Sequence, residues 1–326
     1  MNETRSNSGR RHSARPNLLH SGPCLWAGMM MAIWAAVQPP SVAGQSRVPT
    51  ISVETLADDL WVIRDGLGSG NVLLYDVPGG AYLVDAGAPE SASAIIATVD
   101  SLAENPVRTV ISTHYHEDHL GANAWYAVRG ARIMGHELLA VEALRDTTIA
   151  EMRWERRRAN PTSLPTVQVT GPSMIKSGQP DGGTIAAIQK LQPAHSRTDI
   201  AVLIPTANVL HAGDLIEVGA YPFIDWWAGG SLEGMIEEVG LIVSWAQGDQ
   251  RIVPGHGPVI GAKELAEYQT MLVTIRDRAR AAIGRGASEA EFLDSQPTRE
   301  FDAERGGEDA GRQFASLVWY GLTRGD

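Results

Sequence analysis

Within the run Thr113-His114-Tyr115-His116-Glu117-Asp118-His119, three imidazoles and the carboxylate of Asp118 fall inside six positions. Groups so close in sequence cannot all converge from a helix. A tight loop leaving a buried strand can aim them into one cleft from a rigid base. The chemistry of such a set is metal binding by nitrogen and oxygen. His195, Asp214 in Gly213-Asp214, and His256 in Pro254-Gly255-His256-Gly257 occupy loop entries of the same kind, each after a run that reads as a strand. Taken singly, each is an ordinary histidine or a turn residue. Together, His114, His116, His119, His195, His256, Asp118 and Asp214 make seven donors. That is more than one ion needs and enough for two zinc ions that each keep an open position. The only cysteine, Cys24, lies near the amino terminus, so a thiolate ligand or nucleophile is set aside.

The elements that must position these groups follow from periodicity. Residues 60–64, 71–76 and 81–85 read as short strands of a meander, the last two joined across Pro78-Gly79-Gly80. Ser91 can cap a helix to 102 with Ala92, Ile95, Ile96 and Val99 on one face, and 107–113 reads as a buried strand delivering the histidine run. Residues 121–128 look helical, 132–134 a brief strand, and 137–158 a charged helix whose Arg153, Arg156, Arg157 and Arg158 form a solvated face. Strands are expected at 184–191, 200–204, 208–212 and 251–253, and helices from Ser231 and over 262–283. No internal repeat interrupts the series. Interleaved strands and helices imply sheets covered by helices, an α/β class.

The 326 residues carry 38 Asp and Glu against 27 Lys and Arg, a net charge of -11, with 44% hydrophobic residues, 34 Gly and 18 Pro. A real core with many turns can form, whereas a coiled coil is excluded. The excess of acid argues against a nucleic-acid partner. Arg5, Arg10, Arg11 and Arg15 precede an apolar run at 25–37, and Ser41, Ala43 and Gly44 follow, which is the order of a cleaved secretory signal over 1–44. The run is short for a membrane span, so no stable membrane insertion is expected after cleavage. A periplasmic or secreted location is expected. The domain that carries the seven donors is then 45–285, and 286–326 is a charged, partly helical extension.

With these residues in view, the chain resembles the metallo-β-lactamase superfamily, whose pattern is His-x-His-x-Asp-His, a later His, Gly-Asp and Gly-His. The match spans roughly residues 60–260. The resemblance implies an αβ/βα sandwich of two mixed sheets flanked by helices. It assigns His114, His116 and His195 to a first metal, Asp118, His119 and His256 to a second, and Asp214 to a bridge. Asp85, in Leu83-Val84-Asp85-Ala86-Gly87, matches a family Asp that supports the metal loop.

Two divalent ions flanking one water bring its pKa towards neutrality, so a hydroxide could attack an acyl carbon of a small substrate, with Asp118 passing the proton. Family members resembling this chain open β-lactams or lactones, cleave thioesters or phosphoesters, process RNA, or oxidise persulfides with iron in place of zinc. Export disfavours the glutathione thioesters, and acidity disfavours RNA. β-Lactams, lactones and other small esters or amides remain, beside an iron oxygenase or a non-catalytic binder that keeps its metal. Arg197 is a candidate partner for a substrate carboxylate. Tyr221, Phe223, Trp226 and Trp227 are candidates for an apolar substrate wall, or for packing under the adjacent helix. His136 and His211 are expected to be structural.

Overall fold

The computed structural model describes residues 49–324 except 150–153, 157, 178–182 and 247. The expected signal segment, Arg153 and Arg157 therefore lie outside the described residues. One sheet has seven strands in the order β1 (Ser52–Ala57), β2 (Leu60–Arg64), β3 (Val72–Val77), β4 (Gly80–Val84), β5 (Val107–Ile111), β6 (Arg132–His136) and then β9 (Val167–Val169). The first four strands run antiparallel as a meander, and β4, β5, β6 and β9 run parallel. The parallel crossovers are α1 (Ala92–Leu102) and α2 (Asn123–Ala127). The second sheet orders β10 (Ser173–Lys176), β11 (Thr184–Lys190), β12 (Ile200–Ile204), β13 (Val209–His211) and β14 (Arg251–Val253), with only the last pair parallel.

Period-two alternation decides which residues face which layer. Along β2 and β3, Leu60, Val62, Leu73 and Tyr75 turn inward to meet Ile188, Ile200 and Val202 of the other sheet, forming the central core. Their neighbours Ile63, Val72 and Leu74 turn outward against Ile95 and Val99 of α1 and Tyr126 of α2. The outer face of the second sheet is covered by α4 (Leu232–Trp245), α5 (Ala262–Gly284) and α7 (Glu308–Arg324), while α6 (Glu289–Asp294) seats Phe292 in the same cluster. The layers are helix, sheet, sheet, helix, as expected. Among the described residues no helix is long and apolar enough to cross a membrane.

Local departures have local causes. Strands β1, β9 and β10 lie beyond the expected set; β9 and β10 have three and four residues, too short to show a period. Ser91 does occupy the cap of α1, but its hydroxyl donates back to the Ala88 carbonyl at 3.3 Å and makes no cap bond. The charged helix expected over 137–158 is absent. In its place stand α3 (Leu139–Ala143) and a hairpin of β7 (Thr147–Ile149) and β8 (Trp154–Arg156). The β-branched run Thr147-Thr148-Ile149 favours extension. Arg156 belongs to no solvated face: it is 6% exposed and bonded to buried partners, whereas Arg158 is exposed.

Candidate metal centre

The cleft lies where β4, β5, β13 and β14 end. The loop after β5 is anchored by Asp85, which follows β4 in the left-handed region at φ 61° and is fully buried. A non-glycine residue held there is strained and needs strong compensation. Its carboxylate supplies that compensation by accepting from the Thr113 amide at 2.7 Å and the Thr113 hydroxyl at 2.8 Å, and by holding His119 Nδ1 at 2.8 Å. The backbone then turns through a short 3-10 segment, Glu117–His119, that directs Asp118 and His119 to one side of the cleft. Two glycines let the chain come close. A Cβ on Gly70 would lie 2.4 Å from the His119 ring, and one on Gly255 would lie 1.9 Å from Asp214 Oδ1.

All seven expected donors meet here. His114, His116, His195 and Asp214 form one group and Asp118, His119 and His256 another, with the ligand atoms of each group within 4.8 Å of one another. The rings of His114, His116 and His195 form a triangle with centroids 4.6–4.7 Å apart and planes nearly perpendicular. Asp214 stands between the groups. Its Oδ2 is 3.6 Å from His114 Nε2 and 3.7 Å from His195 Nε2, and its Oδ1 is 3.1 Å from His119 Nε2 and 3.5 Å from His256 Nε2. Asp118 Oδ2 is 3.3 Å from His256 Nε2 and 3.6 Å from His119 Nε2.

The donor set fits a cation. His114 Nε2, His119 Nε2 and Asp214 Oδ1 are buried polar atoms without an aligned hydrogen bond, an arrangement that costs stability unless something binds them. Burial, helped by the neighbouring imidazoles, holds His114 well below the usual histidine range. Burial likewise pulls His195 down to about 4, against the attraction of Asp214. At His256 burial also opposes charge, but Asp214 and Asp118 outweigh it and push the ring up to about 11. Burial would raise Asp118, yet His119 and His256 bring it down to about 2. The neutral rings of the first group have lone pairs to give, and in the second the carboxylates that charge His256 would meet a divalent ion in place of that proton.

The candidate substrate residues are placed differently from one another. The half-buried Phe223 ring stands 6.2 Å from His116 and 6.1 Å from His195, at the cleft. Tyr221 stacks on Phe314 of α7 at 5.0 Å and donates to Asp302 Oδ1 at 2.7 Å. Trp227 stacks on Tyr320 at 5.7 Å, and Trp226 lies so close to Gly321 that a Cβ there would be 1.8 Å from its ring. Those three rings bury their apolar area against α7. Arg197 pairs with the fully buried Glu142. His211 holds the Asn71 carbonyl at 3.2 Å through Nε2 and accepts from the Gly213 amide at 3.2 Å, and His136 Nδ1 accepts from the Leu138 amide at 3.0 Å.

Sequence reasoning missed Asp225, Tyr115, Arg156 and Glu142, which form a buried network beside His116. The one available signal was an acidic residue inside an otherwise aromatic and glycine-rich loop.

The metallo-β-lactamase superfamily model matches residues 65–256, from the loop after β2 to the last candidate ligand. The chain is 27% identical over 180 residues to the 2,4-dinitroanisole O-demethylase subunit alpha of Nocardioides sp. (strain JS1661); the match covers 55% of this chain and 50% of that protein. The chain thus spans about half the length of that curated relative. Among solved structures it is similar to the DIM-1 metallo-β-lactamase (TM-score 0.53, 16% identity, 70% of this chain and 99% of the other). It is also similar to a metallo-β-lactamase from Pontibacter korlensis (0.52, 19%, 68% and 99%) and to a variant of the sec-alkyl sulfatase PisA1 (0.61, 15%, 84% and 50%). The fold, the donor groups and a family match running across the whole histidine pattern agree: the chain belongs to the metallo-β-lactamase superfamily.

Proposed function

We propose that this chain is a dinuclear zinc hydrolase of small acyl compounds, such as lactones and simple esters. The observation that carries the reading is Asp214, a single carboxylate whose two oxygens face the two donor groups. His114, His116 and His195 would hold one ion and Asp118, His119 and His256 the other. Bound there, the ions would supply a hydroxide at neutral pH and Lewis acidity towards the acyl oxygen.

The chain's own residues do the rest. Asp118, 34% exposed, is the most open of the ligand carboxylates and can carry the proton that water loses to the departing oxygen. Water's oxygen ends on the acyl carbon, the bond to the departing oxygen breaks, and no covalent enzyme intermediate forms. Phe223 offers apolar area beside His116 and His195. Arg197, the candidate clamp for a substrate carboxylate, lies on Glu142, which also takes Arg145 and Arg156, so one carboxylate faces three guanidiniums.

A second reading is hydrolysis of an activated aryl ether, favoured by the activity for which the Nocardioides relative is named. Purified protein would be assayed with a lactone, a chromogenic cephalosporin, a thioester, a phosphodiester and 2,4-dinitroanisole, with and without chelator, alongside elemental analysis. Chelator-sensitive turnover of the lactone with two zinc per chain is the expected result. Iron with oxygen uptake, or ion binding without turnover of any substrate, would overturn the proposal. We also propose action outside the cytoplasm after removal of residues 1–44. Amino-terminal sequencing of the exported protein tests this, and an intact Met1 would refute it.

A further inference from the structure

We propose that Asp225 is a positioning residue for the first donor group: it fixes the ring of His116, and Arg156 neutralises it in turn. The inference rests on reading the site as a metal centre. Asp225 is fully buried, and its Oδ2 accepts from the Tyr115 hydroxyl and lies 3.1 Å from His116 Nε2. A carboxylate at that distance selects the tautomer with the proton on Nε2, leaving the lone pair on Nδ1. Two residues earlier in the same loop, the Phe223 carbonyl lies 2.8 Å from His195 Nδ1, which selects the proton there and leaves the lone pair on Nε2. The two nitrogens so prepared, His116 Nδ1 and His195 Nε2, face each other at 3.0 Å. Two lone pairs that close repel unless a positive centre joins them. One three-residue segment, Phe223-Ile224-Asp225, thus aims two ligands at a single point.

The same loop is locked to its ligands by the main chain. The Asp225 amide donates to the His195 carbonyl at 2.8 Å, and Asp225 Oδ1 accepts from the Ala228 amide at 3.0 Å. A buried carboxylate is tolerated only when paired. Arg156, brought in by β8, supplies the pairing: its Nη1 is 2.5 Å from the Tyr115 hydroxyl and 3.8 Å from Asp225 Oδ2, and its Nη2 donates to Glu142 Oε2 at 3.4 Å. A lysine cannot span both acids from one planar head.

The test uses the full chain stripped of metal and titrated with Zn2+ against a chromophoric chelator, comparing wild type, Asp225→Ala, Asp225→Asn and Arg156→Lys. Loss of an outer partner of a metal-binding histidine typically weakens binding about 10–100-fold, so Asp225→Ala should weaken one of the two ions by that factor and leave the other within about threefold. Asp225→Asn, which keeps an oxygen to accept from Nε2, should recover most of the loss. Arg156→Lys should fall between them. Equal weakening of both ions, or uptake unchanged in Asp225→Ala, would overturn the inference while the metal-centre reading stands. Uptake of no ion by the wild type would overturn both. Should Asp225→Ala not fold, ring nitrogen NMR of the zinc-loaded wild type decides instead: a protonated His116 Nε2 is expected, and a zinc-bound Nε2 would refute the proposal.

Discussion

The two donor groups share Asp214 but are built differently. In the first, the His114, His116 and His195 side chains are 2%, 11% and 1% exposed, and the aromatic loop orients the last two rings from behind. In the second, only His119 is deeply buried and fixed, by Asp85; Asp118 and His256 are 34% and 20% exposed. One group is a rigid socket and the other an open rim. On the proposed function the difference would separate two tasks, the socket holding an ion and the rim leaving room for substrate and for a mobile proton.

The strongest way to break this comparison is Asp214→Ala. Removing the shared ligand should weaken uptake at both groups, the three-histidine socket less than the rim, and cut turnover by more than the roughly 10–100-fold typical of losing an outer partner, as ion titration and kcat would show. Unchanged affinity at either group would mean that Asp214 does not join them. Next comes Asp118→Ala, which removes no core packing but, on the proposed function, a rim ligand and the proton carrier; kcat should fall about 10²–10⁴-fold, the range for general acid–base groups. Its unfolding midpoint should stay near that of the wild type. Near wild-type rates on the best substrate would refute the role of Asp118.

Timed dialysis against chelator sharpens the contrast. The open rim should release its ion before the socket, leaving an intermediate with one ion per chain; simultaneous release of both would erase the distinction. The smallest effect is expected from Tyr221→Phe, which removes the buried bond to Asp302 and should cost about 1–3 kcal/mol in denaturant unfolding, with ion uptake unchanged. A change in uptake instead would mean that the bond to Asp302, and not only the stack on Phe314, holds the loop to its ligands.

The donors of both groups were legible because their signal is local. Three histidines and an aspartate within six positions, and single donors set after glycines, mark themselves. The sandwich was legible for the same reason, since period-two runs such as 60–64 declare a strand without reference to anything distant. What orients the socket was not. Asp225 touches His116 across 109 positions and Arg156 touches Tyr115 across 41, and nothing in their spacing announces either contact. Arg156 was further hidden among neighbouring arginines that read together as a solvated helix face. The β-branched run at 147–149 and the buried partners of Arg156 together made that segment a hairpin.

The loop that aims His116 and His195 is itself gripped on its far side. Tyr221, Trp226 and Trp227 all rest on α7, within the last twenty residues of the chain. The tail therefore serves as a keel for the imidazoles: a smaller residue in place of Phe314 or Tyr320 would let the loop list, and the grip on the first cation would slacken with every ligand still in place. Tuning of the metal can thus be sought in substitutions far downstream of the histidine pattern.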